Sequence, residues 1–263
     1  MKIAALVMAH HRPDCLGRLL SRLQGDLWAR YLHVDAKADL APFTHLLRLV
    51  NPVPRRMAVY WGTFSQVEVA VALLRYALED RENTHFYTVT GQDYPIKPDS
   101  EIASAIARAA YGGNFITIRR MPTRDKPLSR LEKRYYSRLS PRWRKKLADV
   151  LPKRRVDRHL RGLEPFAGSA MWVLNRRTGQ EMIDFLDDNP WYSAAFRHTK
   201  CPDEMFFQTL ARHLGVDVDG GCPTRSFWIQ GRSNPELITP AILKEIRGDW
   251  HFMARKFDRY YPS

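Results

Sequence analysis

The chain has 263 residues, 44% of them hydrophobic and 27% charged, which excludes intrinsic disorder as its overall description. No apolar run reaches the length of a membrane-spanning helix. The net charge is +14 and unevenly spread: residues 119–162 hold 17 Lys and Arg against 4 Asp and Glu, and the rest is close to neutral.

In chain order, residues 3–8 form an apolar run read as a buried strand rather than a signal peptide, because no small-residue cleavage site follows. Pro13 can open a helix with Leu16, Leu19, Leu20 and Leu23 on one face. Residues 31–34 read as a second strand ending at Asp35, then a helix over 40–49 stopped by Pro52 and Pro54. A short strand is expected over 58–60, a strong amphipathic helix over 65–79, and a fourth strand over 86–90 ending at Gly91-Gln92-Asp93. This alternation predicts an α/β fold with a mostly parallel, Rossmann-like sheet flanked by helices. Ligands on such sheets bind beyond the carboxyl ends of the strands. His10, Asp35, Trp61 and Asp93 all follow expected strand ends. Further on, strands are expected over 115–118, 170–174 and 227–229, and helices over 178–186, 202–214 and 240–246. One domain is expected over 1–263. It divides into a nucleotide-binding half (1–98), a basic helical segment (119–162), and a catalytic and diphosphate-binding half (163–263).

Cys201-Pro202-Asp203-Glu204 reads first as a helix start, with Pro at the first position and acids complementing the dipole. A carboxylate there can also accept a proton. Arg255-Lys256, beside aromatics near the end, reads as a solvated basic pair or as a cationic clamp for phosphate together with Arg225. Asp217-Val218-Asp219 has a metal-binding form, but its place before Gly220-Gly221 favours an ordinary polar turn. No nucleophile elbow, phosphate loop or glycine-rich dinucleotide motif is present. Cys15, Cys201 and Cys222 show no paired spacing, which suggests reduced thiols.

Seven segments, taken in order, resemble glycosyltransferase family 14. These are Ala9-His10, His33-Val34-Asp35-Ala36-Lys37, Val59-Tyr60-Trp61-Gly62-Thr63-Phe64-Ser65, Gly91-Gln92-Asp93-Tyr94-Pro95-Ile96-Lys97, Gly168-Ser169-Ala170-Met171-Trp172, Cys201-Pro202-Asp203-Glu204 and Ala254-Arg255-Lys256-Phe257-Asp258. That family holds the core 2 and I-branching β-1,6-N-acetylglucosaminyltransferases and the peptide O-xylosyltransferases. The resemblance implies a GT-A-type fold and inverting, metal-independent transfer from a UDP-sugar, with no cofactor. It implies Glu204 as catalytic base, Arg225 and Lys256 on the diphosphate, and Asp35 with His10 near the uridine. Gln92, Asp93, Trp61, Gly168 and Ser169 would line the sugar and acceptor site. Ala170 resembles the N-acetylglucosaminyl branch, whereas Glu204-Met205-Phe206-Phe207 resembles the xylosyl branch, so both donors stay open. The acceptor would be a glycan or a lipid-linked glycan. The eukaryotic members carry disulfides and a membrane anchor. Lacking both, this chain is expected to be a bacterial-type cytoplasmic relative active in polysaccharide synthesis.

The basic segment 119–162 reads as a solvated face, or as a platform for an anionic acceptor or an anionic inner-membrane surface through Trp143, Leu147 and Leu151. The lack of a nucleic-acid motif argues against nucleic acid. Two alternatives to the enzyme stand beside it: a basic nucleic-acid-binding protein on the same scaffold, and an inactive relative that binds sugar nucleotide.

Overall fold

The computed structural model describes residues 1–136, 143, 150–229, 235–246, 248–259, 261 and 262. Its central sheet is built from β1 (Ile3–Ala9), β2 (Trp28–Val34), β3 (Asn51–Pro52), β4 (His85–Thr90) and a later strand, Val173–Asn175. The order across it is β3-β2-β1-β4 and then Val173–Asn175. The first four run parallel, with Ile3 opposite both Trp28 and His85, and the last is antiparallel to β4. This confirms the mixed α/β expectation with a mainly parallel sheet.

Strand β1 explains why both faces must be covered. Successive side chains of a strand point to opposite faces. Ile3, Ala5, Val7 and Ala9 pack with Leu16, Leu19 and Leu20 of α1 (Pro13–Arg22). Ala4 and Leu6 pack on the other face with Val67, Ala70, Leu73 and Leu74 of α2 (Ser65–Glu79). A strand apolar on both sides needs a helix on each side. Helix α3 (Asp99–Ala107) adds Ile102 and Ile106 to the first layer. On the α2 side lie α4 (Arg176–Asp188), α5 (Pro190–Phe196) and α6 (Phe206–His213).

Several expected elements move. The third strand is Asn51–Pro52, not 58–60. Around 58–60 the backbone is held by side chains instead: Met57 N donates to His33 Nε2 at 2.9 Å, and Val59 N to an Asp35 carboxylate oxygen at 3.2 Å. Side chains of and just after β2 thus take donors that a strand ladder would use. The 202–214 helix is split into a tight turn over Pro202–Glu204 and α6, because Met205 leaves helical geometry at φ −136°. Phe115 makes only isolated bridges, to Val173 and Gly220. The late strand falls at Thr224–Ser226 rather than 227–229, and the 40–49 helix shortens to a 3-10 turn and Thr44–Leu47. Helices α3 and α5 have no counterpart in the sequence reading.

A second sheet positions the C-terminal residues. Strand β5 (Tyr94–Pro95) runs antiparallel to Met253–Arg255, which pairs in parallel with Thr224–Ser226. The buried Tyr87 hydroxyl of β4 contacts Thr224 Oγ1 at 2.7 Å and ties this sheet to the central one. The result brings Arg255-Lys256 to the carboxyl end of β4.

Candidate active site

The site forms where β1, β2 and β4 end, the position expected for a ligand on a sheet of this order. At the end of β2, Asp35 is 5% exposed and closes a tight loop. One of its oxygens accepts from Lys37 N at 2.9 Å and Val59 N at 3.2 Å, the other from Lys37 Nζ at 2.7 Å. Burial opposes ionisation, but these bonds outweigh it and hold the carboxyl below its ordinary value. His10, at the end of β1, stacks on His11 with ring centroids 4.0 Å apart. Desolvation lowers both imidazoles, and His11 falls to about 4 with help from His10 and Lys256. The charges of Asp35 and Lys256 both reach His10, which joins the first strand end to the C-terminal segment.

At the end of β4, Asp93 is buried with 0% side-chain exposure. Its oxygens accept from Thr90 N and Thr90 Oγ1, each at 2.8 Å. Arg255 Nε lies 3.3 Å from it. That Nε is buried and makes no hydrogen bond among the described residues, so charge holds the guanidinium while donor capacity is left over. Lys256 follows, with its ammonium lowered by burial and then by Arg255. Gln92 works as a staple: Nε2 donates to Phe257 O at 3.0 Å, and Phe257 N donates back to Gln92 O at 2.8 Å. It thereby fixes the segment that carries Lys256.

Arg225 is placed differently from Arg255. Its guanidinium lies 3.4 Å from Asp249 and over the Phe227 ring at 5.0 Å. Strand register pairs Arg225 with Ala254 and Arg255 with Ser226. Arg225 therefore shares a strand face with Ala254, while Arg255 turns toward Asp93. The residue-level reading took Arg255 and Lys256 together as a basic pair, and the family resemblance singled out Lys256; the structure turns Arg255 toward Asp93.

Gly168-Ser169 lies against Glu204. A Cβ on Gly168 would lie 1.9 Å from the Thr117 carbonyl oxygen, so only glycine fits. Gly168 N donates to Glu204 O at 2.9 Å, and Gln208 Nε2 donates to Ser169 O at 2.6 Å. Trp61 projects into solvent, 61% exposed, beside Gly62, whose carbonyl accepts from Cys201 N at 2.9 Å. This places an open indole next to the Cys201–Glu204 turn.

Glu204 ends the turn Pro202–Glu204. Its Oε2 accepts from Arg130 Nη1 at 2.6 Å and lies 3.7 Å from Lys126 Nζ. Both cations come from the basic segment, and the sequence reading assigned neither a role. The neighbouring Asp203 faces inward. Gln66 Nε2 approaches one of its oxygens at 3.5 Å, and the other is buried without a partner among the described residues. Burial, then the Glu204 carboxylate, push the Asp203 carboxyl up to about 7. A carboxyl raised above its unfolded value contributes stability that is present at low pH and lost as pH rises toward 7. We therefore expect Asp203→Asn to gain thermal stability relative to wild type between about pH 4 and pH 7, with the advantage retained above it. A parallel Tm profile for the two proteins would contradict this.

Asp219 does not close a local turn but binds a distant loop. The Asp219 carboxylate accepts from the backbone N–H groups of Tyr111, Gly113 and Asn114 at 2.7, 2.8 and 3.0 Å. It is committed to the backbone. Of the basic segment, residues 137–142 and 144–149, which hold most of the expected membrane-facing stretch, lie outside the described residues. The described part includes an inward-turned cation: Arg154 donates to His198 O at 3.1 Å, and burial lowers it to about 10. No described helix is long and apolar enough to cross a membrane.

These features define a mainly parallel α/β protein with charged residues gathered at its strand ends: Arg255-Lys256 beside Asp93, Asp35 near His10, and Glu204 in the turn bonded to Gly168. The model of the Core-2/I-Branching enzyme family matches residues 15–230, and the chain belongs to that family. It is 23% identical over 237 residues to the human beta-1,3-galactosyl-O-glycosyl-glycoprotein beta-1,6-N-acetylglucosaminyltransferase. The match covers 84% of this chain and 50% of that protein, so the chain spans about half the length of the curated relative. Among solved structures it is similar to S. aureus TarS in complex with UDP-GlcNAc, at 15% identity and TM-score 0.36, covering 72% of this chain and 48% of that one. It is also similar to 4-diphosphocytidyl-2C-methyl-D-erythritol synthase, at 13% identity and TM-score 0.43, covering 94% and 98%.

Proposed function

We propose that the chain is an inverting glycosyltransferase that moves N-acetylglucosamine or xylose from a UDP-sugar to a hydroxyl of a glycan or glycoconjugate, without a metal. The observation that carries this reading is the convergence of Asp35, His10, Asp93, Arg255 and Lys256 at the strand ends of a Core-2/I-branching chain, with Glu204 tied through its backbone carbonyl to Gly168.

In this mechanism Asp35 and His10 hold the uridine, and Lys256, with Arg225 from the adjacent strand, holds the diphosphate. Arg255 adds a third cation near them. Glu204 takes the proton of the acceptor hydroxyl. The acceptor oxygen bonds to the anomeric carbon as the bond from that carbon to the phosphate oxygen breaks. The electron pair leaves with UDP, whose growing negative charge meets preorganised cations. Cations already desolvated stabilise that charge more than solvated ones would. Asp219's commitment to three backbone N–H groups supports a site in which side-chain cations serve the diphosphate. Trp61, Ser169 and Asp93 would border the sugar and the acceptor.

Calorimetry with UDP, UDP-N-acetylglucosamine and UDP-xylose, with and without EDTA, tests this reading. Binding that survives EDTA is the expected result, and the tighter sugar nucleotide identifies the donor. Binding abolished by EDTA would overturn metal independence. No binding of any of the three would overturn the glycosyltransferase reading and favour the nucleic-acid alternative for the basic segment.

A further inference from the structure

The proposed base is not free. Arg130 and Lys126 converge on one oxygen of Glu204, and both cationic side chains are largely withdrawn from solvent, at 18% and 15% exposure. They are also held in place. Arg130 Nη2 donates to Asp125 O at 3.1 Å, and Lys200 N donates to Arg130 O at 3.2 Å. Lys126 sits in a turn closed by Thr123 N donating to Lys126 O at 3.1 Å and Lys126 N to Thr123 Oγ1 at 3.1 Å. Lys126 Nζ also meets Asp125 at 2.8 Å. Arg130 therefore meets the Glu204 carboxylate and the Asp125 backbone carbonyl, Lys126 meets the carboxylates of both Glu204 and Asp125, and the charge of Arg130 also reaches Asp203.

That arrangement changes during the proposed reaction. Once Glu204 takes the acceptor's proton, Arg130 loses the carboxylate it hydrogen-bonds while Lys126 keeps Asp125, inside a segment whose charge is strongly positive. That loss is made good if the acceptor brings its own negative group. A carboxylate or phosphate can take the Arg130 fork in two parallel bonds, as Glu204 does not. Trp61, exposed beside the same turn, offers a face on which a pyranose can lie.

We propose that Arg130 and Lys126 form an anion subsite for the acceptor, so that an acceptor with a carboxylate or phosphate near the attacked hydroxyl displaces Arg130 from Glu204 and releases the base. This rests on the glycosyltransferase reading. It makes Arg130 the specificity-determining residue for an acidic glycan acceptor.

The test uses the full chain at low ionic strength and three matched probes: methyl β-glucuronide, methyl β-glucoside and methyl β-glucoside 6-phosphate. Binding is read by ligand-observed NMR, with UDP affinity measured on the same wild-type sample. We expect at least one anionic probe to bind about tenfold or more tightly than the neutral glucoside. Preference for the glucuronide assigns a carboxylate acceptor, and preference for the 6-phosphate assigns a phosphate. Arg130→Ala and Arg130→Lys should both lose most of this preference. Glu204→Gln should bind the preferred anion several-fold more tightly than wild type, because the competing carboxylate charge is gone; a merely structural ion pair predicts no such gain. Equal binding of all three probes overturns the proposal, as does a folded Glu204→Gln protein with weaker anion binding. If UDP binds and the probes are not discriminated, the subsite fails and the transferase reading stands. If UDP does not bind, the transferase reading fails by itself.

Discussion

Glu204→Gln should lower sugar transfer by about 10²–10⁴-fold, the usual worth of a positioned general base. The substitution keeps the size of the side chain and removes only its ability to hold a proton. The Glu204 carboxylate is paired with Arg130 and Lys126 of the basic segment, whereas Lys256 follows the Met253–Arg255 strand, so UDP affinity should be unchanged. The turn should survive, because the backbone bond from Gly168 N to Glu204 O does not involve the side chain. Arg130 loses a charged partner at 2.6 Å but keeps the Asp125 carbonyl. The pair is partly exposed, so the stability loss should be small. Initial rates of UDP release at saturating donor, beside a thermal melt and UDP calorimetry, separate the alternatives. A folded variant with full transfer would remove Glu204 as the base. A variant that loses UDP binding as well would move Glu204 into the donor site.

What was legible in the sequence follows a physical divide. Strand β1 and helix α2 announce themselves because each is set by burial: an all-apolar run, and apolar residues at helical spacing. The strand-end positions of His10, Asp35 and Asp93 follow from those elements, so the motif residues fall at one edge of the sheet without any knowledge of side-chain geometry. The segment 58–60 looks like a strand by composition, but His33 and Asp35 take its backbone donors, and such long-range side-chain bonds leave no periodic trace. Helix α3 was missed for the opposite reason. It buries only Ile102 and Ile106, too few to stand out as a stripe. At the site, charge type was readable and charge pairing was not. Arg255 was visible as a cation, but its approach to Asp93 depends on the register of two three-residue strands. Arg130 was one of 17 basic residues in its segment, and only the tertiary fold sets it against Glu204.

The adjacent cations Arg255 and Lys256 should give opposite signatures when neutralised. Arg255→Met removes the charge facing Asp93, a carboxylate with no solvent exposure. Removing one partner of a buried pair costs about 3–5 kcal/mol, because the remaining charge is stranded. Thr90 supplies two hydrogen bonds to Asp93, which places the expected loss at the lower end of that range. Lys256 is different. Burial and Arg255 both disfavour its charged form, so the folded protein holds it at a cost. Lys256→Met should leave stability unchanged or slightly higher, while UDP affinity falls by about 10–100-fold through loss of a charge-assisted contact to phosphate. Urea unfolding and UDP calorimetry on the two variants decide the matter together. If Lys256→Met is destabilised and still binds UDP, its charge serves the fold and the diphosphate assignment fails. If Arg255→Met is fully stable, the two bonds from Thr90 hold Asp93 without help from Arg255, and the guanidinium is then held in place for the ligand alone. The contrast matters because a cation kept at a cost in the empty protein is preorganised for a negative ligand. Its neighbour on the strand secures the carboxylate that would otherwise compete for it.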